Sequence, residues 1–521
     1  MIKRNNKKGF TIVELVIVIA VIAILAAVLI PTFAGIIKKA NISADTQLCK
    51  NMNTALSMAK AEGKSVDTME DVLFAINEAG YVIENLNPTT EGYYFAWDEA
   101  NDQILFLNNE FAVHYPEDAT LDAAKCWITV GDAAEAATVA AKGFALYLEP
   151  GFNEALTLAN LVSVDAGANE NVELKIESAN EGTIAIRGSY ATVELAAEKA
   201  HVEQYGVVGT ATGKVAANSF VVNGFVKELK LSAGKVKVAA TGVVQTLALD
   251  GATFAAEESK GIVVSGADNY TSSAAVTINN KAELEAFRDI VNGGYNYNNN
   301  GTPVTVTLTA DIDLAGVAWL PIGNFARGEE KGFAGIFDGG NHTIKNLSNE
   351  GFSVAGLTFG TNETTPGEKV EAVYGLFGST HNATIKNLTV TANINMSDDG
   401  THLGDSVGAI VGFASGTFTM ENCTANGTVV GYDSVGGLVG RTYATNATVK
   451  NCKNNANVTA QYNKAAGIIG YAGATSKYHA TVEGCTNAGT VSVDRTGALK
   501  ASLYIYQDSS KSGPNNNICV D

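Results

Sequence analysis

The sequence has little of what metal-dependent and disulfide-stapled proteins need. It contains only six cysteines in 521 residues, and no CxxC or Cys/His spacing predicts a zinc site. So few cysteines in so long a chain also exclude a scaffold held together by disulfides. Proline is scarce, with 8 residues against 53 glycines, a composition that suits many tight turns between short strands.

Positive charge is also in short supply. The formal net charge is −19, which repels nucleic-acid phosphates, so we expect no nucleic-acid partner. The chain has one local group of lysines, formed by Lys227, Lys230, Lys235 and Lys237. We interpret this group as a solvated strand face. Apolar residues are too many and too regularly placed for disorder, and the length allows about three domains.

One stretch near the start lacks charge altogether, from Leu15 to Ile37. A helix of about 20 apolar residues spans a bilayer. Basic residues precede the stretch, which predicts a cytoplasmic N-terminus and a C-terminal part outside the cell. A secretory signal peptide is the alternative, but its small-residue cleavage site should follow the apolar run. Here Pro31, Thr32 and Phe33 follow it.

Glu14 lies at the edge of this apolar stretch and decides between these interpretations. A carboxylate in a membrane helix costs roughly 2.5 kcal/mol or more at the bilayer centre, so it needs a partner or a function. The small residue Gly9 lies before the apolar run. Cleavage after Gly9 would free the amine of Phe10 one turn from Glu14, where an amine of this chain or a neighbour would neutralise the carboxylate.

The segment Gly9-Phe10-Thr11-Ile12-Val13-Glu14-Leu15 closely resembles the type IV prepilin signal of pilins and pseudopilins. The resemblance implies that prepilin peptidase cleaves between Gly9 and Phe10 and that the Phe10 amine is methylated. It also implies that Glu14 docks on the N-terminus of a neighbouring pilin subunit. A simple membrane anchor remains the alternative.

The region after the apolar stretch predicts a small head. The first helix should continue to about Lys60, and a second helix should begin after an N-cap at Asp67 with Glu70 completing a capping box. Two strand-like runs, 93–97 and 103–107, flank a short polar turn and predict a β-hairpin. This order resembles the head of a Gram-positive pseudopilin. We predict a leader at 1–9, a transmembrane part at 10–37 and a head at 38–126.

Two later stretches echo each other and each opens a β-rich block. A short strand precedes an N-cap candidate, Asp132 or Asn280, and a helix that ends in glycine. Such a helix would cover the end of a solenoid. We place the first block at 127–270, the second at 271–500 and a tail at 501–521. In the first block, G-x-V-x-x-L-x-L recurs at Gly224 and Gly242, which favours stacked solenoid turns; a β-sandwich is the alternative.

The second block repeats more clearly. Motifs such as Gly437-Leu438-Val439-Gly440 recur every 28 to 34 residues, which predicts a parallel β-helix with apolar residues filling its lumen. Cys423, Cys452 and Cys485 occupy equivalent positions, so they should stack about 4.8 Å apart as small buried groups. That spacing is also within reach of a disulfide. Together with 333–344, these repeats resemble the GLUG-repeat β-helix proteins of bacterial surfaces, which implies an adhesin-like module.

Two groups of carboxylates are candidates for chemistry. Asp311 and Asp313 lie on one strand face, as a hydrolytic acid/base pair would, although closing the first coil is the simpler interpretation. Asp398, Asp399 and Asp405 are a weak Ca²⁺ candidate, and a solvated loop is the alternative. We expect no cofactor and no catalytic residues, and therefore no enzyme.

The predicted fold is mainly β. It has a long N-terminal transmembrane or pilin α-helix, a small α+β head, and parallel β-helix (β-solenoid) blocks with helical caps. The expected function is a type IV pilin-like surface protein, anchored in the bacterial cell membrane or built into a pilus, that binds a glycan or a host or matrix protein. The alternatives are a surface-tethered polysaccharide lyase or hydrolase and a competence or secretion pseudopilin.

Overall fold

The computed structural model describes most of the chain. The described residues are 12–81, 86–167, 169, 171–177, 182–216, 220–267, 270–273, 275–299, 301–323, 332–349, 370–397, 402–473, 479–507 and 517–521. Strands account for 46% of the described residues, and the predicted mainly β class is confirmed. The described α-helices are α1 (Ile12–Ala61), α2 (Met69–Glu78), α3 (Ala133–Ala140) and α4 (Lys281–Asn292), and short 3₁₀ turns lie at Ala123–Lys125 and Ala256–Glu258.

The head combines α1 and α2 with an antiparallel hairpin. Its strands are β1 (Tyr94–Asp98), β2 (Gln103–Leu107) and β3 (Val113–Tyr115), and Phe95 pairs with Phe106 across the predicted hairpin. The predicted cap of α2 is wrong by one residue. Thr68 has the extended backbone of an N-cap and its side chain accepts a hydrogen bond from the Asp71 backbone, because a threonine hydroxyl at that position already satisfies the free N–H of the first turn.

The first block is a solenoid with two faces. Its strands are β4 (Cys126–Val130), β5 (Ala145–Leu148), β6 (Leu156–Leu158), β7 (Ser163–Asp165), β8 (Val172–Ile176), β9 (Thr183–Arg187), β10 (Ser189–Ala197), β11 (His201–Gln204), β12 (Val207–Val215), β13 (Phe220–Val222), β14 (Phe225–Ala233), β15 (Lys235–Val238), β16 (Val243–Leu249), β17 (Thr253–Phe254) and β18 (Ile262–Ser265).

Along β10, β12, β14 and β16, successive coils of this block advance by the same number of residues. Tyr190 pairs with Val208, Val208 with Val226, and Val226 with Val244, each 18 residues further along. The pairing is parallel in both sheets, β17-β15-β13-β11-β9-β7-β5-β4 and β18-β16-β14-β12-β10-β8-β6. The sequence repeat at Gly224 and Gly242 therefore marks successive solenoid coils, and the β-sandwich alternative is wrong.

The second block is a parallel β-helix. Its strands are β19 (Ala275–Ile278), β20 (Asn298–Asn299), β21 (Thr302–Pro303), β22 (Thr305–Leu308), β23 (Ile312–Asp313), β24 (Ile336–Asp338), β25 (Thr343–Ser348), β26 (Val370–Tyr374), β27 (Phe377–His381), β28 (Thr384–Lys386), β29 (Thr389–Asn395), β30 (His402–Gly408), β31 (Val411–Glu421), β32 (Thr424–Gly431), β33 (Ser434–Gly436), β34 (Val439–Lys450), β35 (Lys453–Asn454), β36 (Asn457–Ala460), β37 (Lys464–Ala466), β38 (Ile469–Ala472), β39 (His479–Glu483), β40 (Thr486–Asn487), β41 (Val491–Val493), β42 (Leu499–Ala501), β43 (Tyr504–Gln507) and β44 (Asn517–Val520).

Three sheets run along this β-helix. They follow β19-β22-β24-β28-β31-β34-β38-β43-β44, β23-β25-β29-β32-β35-β40 and β26-β30-β33-β37-β42. The strands β43 and β44 extend the first of these sheets, so the described residues of the predicted tail at 501–521 belong to the β-helix. Asn387, Asn422 and Asn451 turn the corner between the first two sheets with positive φ, which asparagine tolerates better than most residues. Gly436 is required for close packing, because a Cβ there would lie 1.9 Å from the Val439 carbonyl oxygen.

The predicted capping helices are confirmed. The Asp132 side chain accepts from the Glu135 backbone at the start of α3, and Asn280 accepts from Glu283 at the start of α4. The buried face of α4 consists of Leu284, Phe287, Ile290 and Val291. This face joins side chains of both blocks in one hydrophobic core, because Phe225, Val243 and Ile262 of the first block belong to the same cluster.

Candidate functional site

The helix α1 has two halves with opposite environments. The described large apolar side chains between Ile12 and Ile37 are exposed; Ile12 is 81% exposed and Ile30 is 67% exposed. Further along, Cys49, Met52 and Leu56 are almost fully buried in the head. An apolar surface of this length in water is strongly unfavourable, so the first half requires a membrane or other apolar helices. By length and hydropathy, α1 is long and apolar enough to cross a membrane.

Side-chain hydrogen bonds fix the second half of α1 to the head sheet. Asn53 Nδ2 donates to the Ile104 carbonyl at 2.9 Å, and the Ile104 N–H donates to Asn53 Oδ1 at 2.6 Å. The buried Asp45 carboxylate accepts from the backbone of Thr89 and Thr90. The exposed half of α1 is thus a continuous extension of a rigidly held helix.

The predicted processing residues lie at the start of this helix. Gly9 and Phe10 lie outside the described residues, so cleavage and methylation there stay predictions. Glu14 lies in the first described turn of α1, on the exposed half. Docking of Glu14 on a neighbouring subunit also stays a prediction.

The two candidate acids of the second block are engaged in local structure. Asp311 accepts from the Thr343 backbone at 2.9 Å and pairs with Lys345 at 3.3 Å. Asp313 accepts from the Ala315 backbone and from Asn346 Nδ2. The bond from Ala315 closes a local turn, and those from Thr343 and Asn346 join neighbouring coils, as the simpler interpretation of this pair expects.

The weak calcium candidate is divided by the structure. Asp398 and Asp399 lie outside the described residues. Asp405 is buried, and its carboxylate lies 3.1 Å from Arg441 Nη1, so a protein cation already neutralises it. Within the described ranges, no group of three or more His, Cys, Asp or Glu side chains is arranged to hold a metal ion.

Arg441 is at the centre of a buried charge cluster that we did not predict from the sequence. Its guanidinium pairs with both Asp405 and Asp433 and donates to the Ser434 hydroxyl at 2.8 Å. Lys464 lies nearby, and burial lowers the pKa of its amine. The two aspartates come from different coils. The signal available in the sequence was an arginine at a repeat position that is Phe413 or Tyr471 in the neighbouring coils.

The three repeat cysteines stack as predicted and are free thiols. The Cys423 N–H lies 3.4 Å from Cys452 Sγ, and the Cys452 N–H lies 3.4 Å from Cys485 Sγ. Contact with Cys423 and burial raise the pKa of Cys452 to about 12. The Cys452 thiol is therefore protonated at neutral pH. Cys423 and Cys452 pack as small buried groups, and Cys485 is partly exposed.

Two family models match the chain. The model of the prokaryotic N-terminal methylation motif matches residues 4–30, and the GLUG motif matches residues 404–430 and 431–459. These matches cover the exposed half of α1 and two coils of the β-helix. The chain therefore carries a prepilin-type N-terminus and a GLUG β-helix, and both predicted resemblances are confirmed.

Known relatives match in parts. Residues of this chain are 36% identical over 92 positions to the type IV wide pilus major component PilA4 of Thermus thermophilus, covering 18% of this chain and 64% of that protein. Halomucin of Haloquadratum walsbyi is 31% identical over 201 residues, covering 36% of this chain and 2% of halomucin. The chain thus spans less than two thirds of the length of these relatives.

One solved structure is also similar, a Bacteroides ovatus protein assigned as an immunoglobulin A1 protease. It covers 47% of this chain and 92% of its own, at 16% identity and a TM-score of 0.25. Likeness at that level carries no functional argument.

The fold and the exposed helix together define a type IV pilin-like surface protein, held at the membrane or in a pilus.

Proposed function

We propose that this protein displays its β-helix outside the bacterial cell to adhere to a ligand, either a glycan or a host or matrix protein. The observation that supports this proposal is the division of α1 into an exposed apolar half and a half that is packed into the head. Such a helix attaches the folded part to a membrane or to a filament. The β-helix then supplies a large, rigid, repeating surface for binding.

The processing follows from the same helix. Prepilin peptidase cuts between Gly9 and Phe10, the Phe10 amine is methylated, and Glu14 pairs with the N-terminus of a neighbouring pilin. Before assembly, the apolar half of α1 crosses the membrane once, with the basic residues inside the cell and the β-helix outside. We further propose that the protein has no catalytic activity of its own.

Substitution of Glu14 tests the assembly step. Glu14→Ala should leave cleavage after Gly9 intact, because the peptidase acts before the carboxylate is paired, but it should remove most of the protein from sheared pilus fractions. Glu62→Ala, at an exposed acid beyond the end of α1, is the matched control. Normal recovery of the Glu14 variant in pili would contradict the docking role.

Adhesion is tested on whole cells that carry or lack the protein. The cells are applied to surfaces coated with polysaccharides or matrix proteins, and bound cells and newly released sugar ends are scored in the same wells. We expect binding that depends on the protein and no released ends. Released ends would favour a carbohydrate-active enzyme instead, and equal binding by both strains would reject adhesion.

A further inference from the structure

One outer face of the second block is nearly free of charge. This face is formed by one row of residues from each of four successive coils, in β29, β32, β35–β36 and β40–β41. In each row, four alternate side chains point away from the lumen. The rows start at Thr389, Thr424, Lys453 and Thr486. All sixteen side chains are exposed or half-buried. We call this surface the hydroxyl–amide face.

The composition of the hydroxyl–amide face is unusual for a protein surface. Seven of the sixteen residues are threonine, five are asparagine and one is serine; the others are Val430, Lys453 and Ala488. A typical surface carries about 25–35% charged residues, so about four or five charges are expected where one is found. This face is therefore almost neutral in a chain whose net charge is −19.

Its side chains are ordered by hydrogen bonds between coils. Asn455 Nδ2 donates to Asn426 Oδ1 at 2.9 Å, and the Thr490 hydroxyl donates to Asn457 Oδ1 at 2.7 Å. With the spacing of strands and of alternate residues, the face is a flat grid of about 20 by 14 Å. Because the side chains are already ordered, binding a ligand costs little additional side-chain entropy.

The neighbouring face, formed by β28, β31, β34 and β39, has a different character. Lys386, Glu421, Lys450 and Glu483 follow one another in register across its coils, and Lys450 pairs with Glu483 at 3.4 Å. Its charges alternate in sign and neutralise one another. The two faces thus provide a matched pair for experiment, one with charge ladders and one without.

We infer that the hydroxyl–amide face binds an uncharged polysaccharide laid across the coils. Hydroxyl and amide groups both donate and accept hydrogen bonds, as sugar hydroxyls do, and burying them costs less than burying charges. An acidic polysaccharide would instead meet the repulsive field of an acidic protein. This inference rests on the proposed adhesive function and narrows its ligand to neutral glycans.

The test uses the full chain, purified in detergent, on immobilised neutral glucan and mannan, on acidic alginate and on collagen as a matrix protein. The triple variant Thr391→Val, Thr428→Val and Thr459→Val removes three hydroxyls while keeping β-branched side chains of the same shape. The control variant is Thr384→Val, Thr419→Val and Thr448→Val on the neighbouring face. We expect at least tenfold weaker binding to a neutral glycan for the first variant only, with little dependence on salt.

Folding is checked by circular dichroism, and Thr428→Arg, which places a bulky charge in the middle of the grid, provides a second variant with the same expected loss. Unchanged or equally reduced binding in the two triple variants would overturn the inference. Binding to alginate or to matrix protein alone would overturn it but leave adhesion standing. Binding to none of these ligands would reject both the inference and the proposed function.

Discussion

The most consequential single residue in the β-helix is Arg441. Its side chain is 6% exposed, and it lies between the carboxylates of Asp405 and Asp433. Buried ion pairs add little net stability when compared with apolar packing, but removing one member leaves the others buried and uncompensated. The Arg441 guanidinium therefore joins its own coil, which also holds Asp433, to the preceding coil, which holds Asp405.

Removal of this cation should destabilise the β-helix strongly. Arg441→Met should lower the free energy of unfolding by about 3–5 kcal/mol, because the buried Asp405 and the partly buried Asp433 lose their cation. Chemical denaturation of the full chain in detergent measures this change. Arg495→Met, which removes an exposed guanidinium 4.1 Å from the Tyr462 ring, should cost less than about 1 kcal/mol. Similar losses in both variants would contradict the special role of Arg441.

Glu70 should make stability depend on pH. Part of its side chain is exposed, but the surrounding residues displace water from its carboxylate. This loss of hydration, together with repulsion from Asp165, raises the pKa of Glu70 from 4.5 to about 7. The folded state then holds a proton that the unfolded state has already released, so this group makes stability fall as pH rises from about 4.5 to about 7.

The variant Glu70→Gln removes this titration. Melting temperatures of the wild type should therefore fall relative to those of Glu70→Gln between pH 4.5 and 7, and the difference should stay constant above pH 7. Glu110→Gln, on an exposed turn of the head, serves as the control. Parallel pH profiles for the wild type and Glu70→Gln would contradict the raised pKa.

At the scale of elements, the helix α4 closes the end of the second block. Its four apolar residues Leu284, Phe287, Ile290 and Val291 fill the lumen end, and the Phe287 ring lies 4.9 Å from that of Tyr297 and 5.6 Å from that of Phe333. A solenoid end without such a cover would expose apolar lumen and strand edges.

Truncation of this cap should open a cavity at the start of the β-helix. Phe287→Ala should lower the free energy of unfolding by about 3–5 kcal/mol, the usual cost of deleting a buried aromatic ring. The comparison is Met58→Ala, at a side chain that is 58% exposed, for which a change below about 0.5 kcal/mol is expected. If both variants unfold at the same denaturant concentration as the wild type, α4 does not cap the core.

Local signals in the sequence predicted most of these elements. Apolar periodicity and N-cap residues predicted α3 and α4, and the repeats at Gly224 and Gly437 predicted the coils. The N-cap of α2 was missed because Asp67 and Thr68 are both good capping residues and only geometry separates them. The Arg441 cluster was missed because Asp405, 36 residues earlier, becomes its partner only when coils stack.

At the scale of the whole molecule, the head and the two blocks are joined by direct contacts and not only by the chain that connects them. The head strand β1 pairs with β4, Trp97 opposite Trp127, so one sheet continues from the head into the first block. The head also contacts the second block directly. Lys281 at the start of α4 pairs with Asp71 of α2 at 2.8 Å, and the Ser65 N–H donates to the Ala315 carbonyl.

The two contacts between the head and the second block join residues 210 or more positions apart in the chain, so no local pattern in the sequence predicts them. They also have a functional consequence. Because α1 is held by the head, and the head is held by both blocks, the orientation of the β-helix relative to α1 is set by packing and not by flexible linkers. A surface protein built in this way presents the proposed binding face in a defined direction from the membrane or filament.

The contact between head and second block should depend on Lys281. The ammonium and the Asp71 carboxylate are both largely buried, so Lys281→Met leaves Asp71 without its cation and should loosen α2 from α4. Hydrogen exchange of the full chain should then become at least tenfold faster in α2 and in the first turn of α4, while the coils around Arg441 stay protected.

Lys345→Met is the matched control, because Lys345 pairs with Asp311 at the surface, where both side chains are about half exposed, and such pairs contribute little. Unchanged exchange in α2 of the Lys281 variant would mean that apolar packing alone holds the second block against the head.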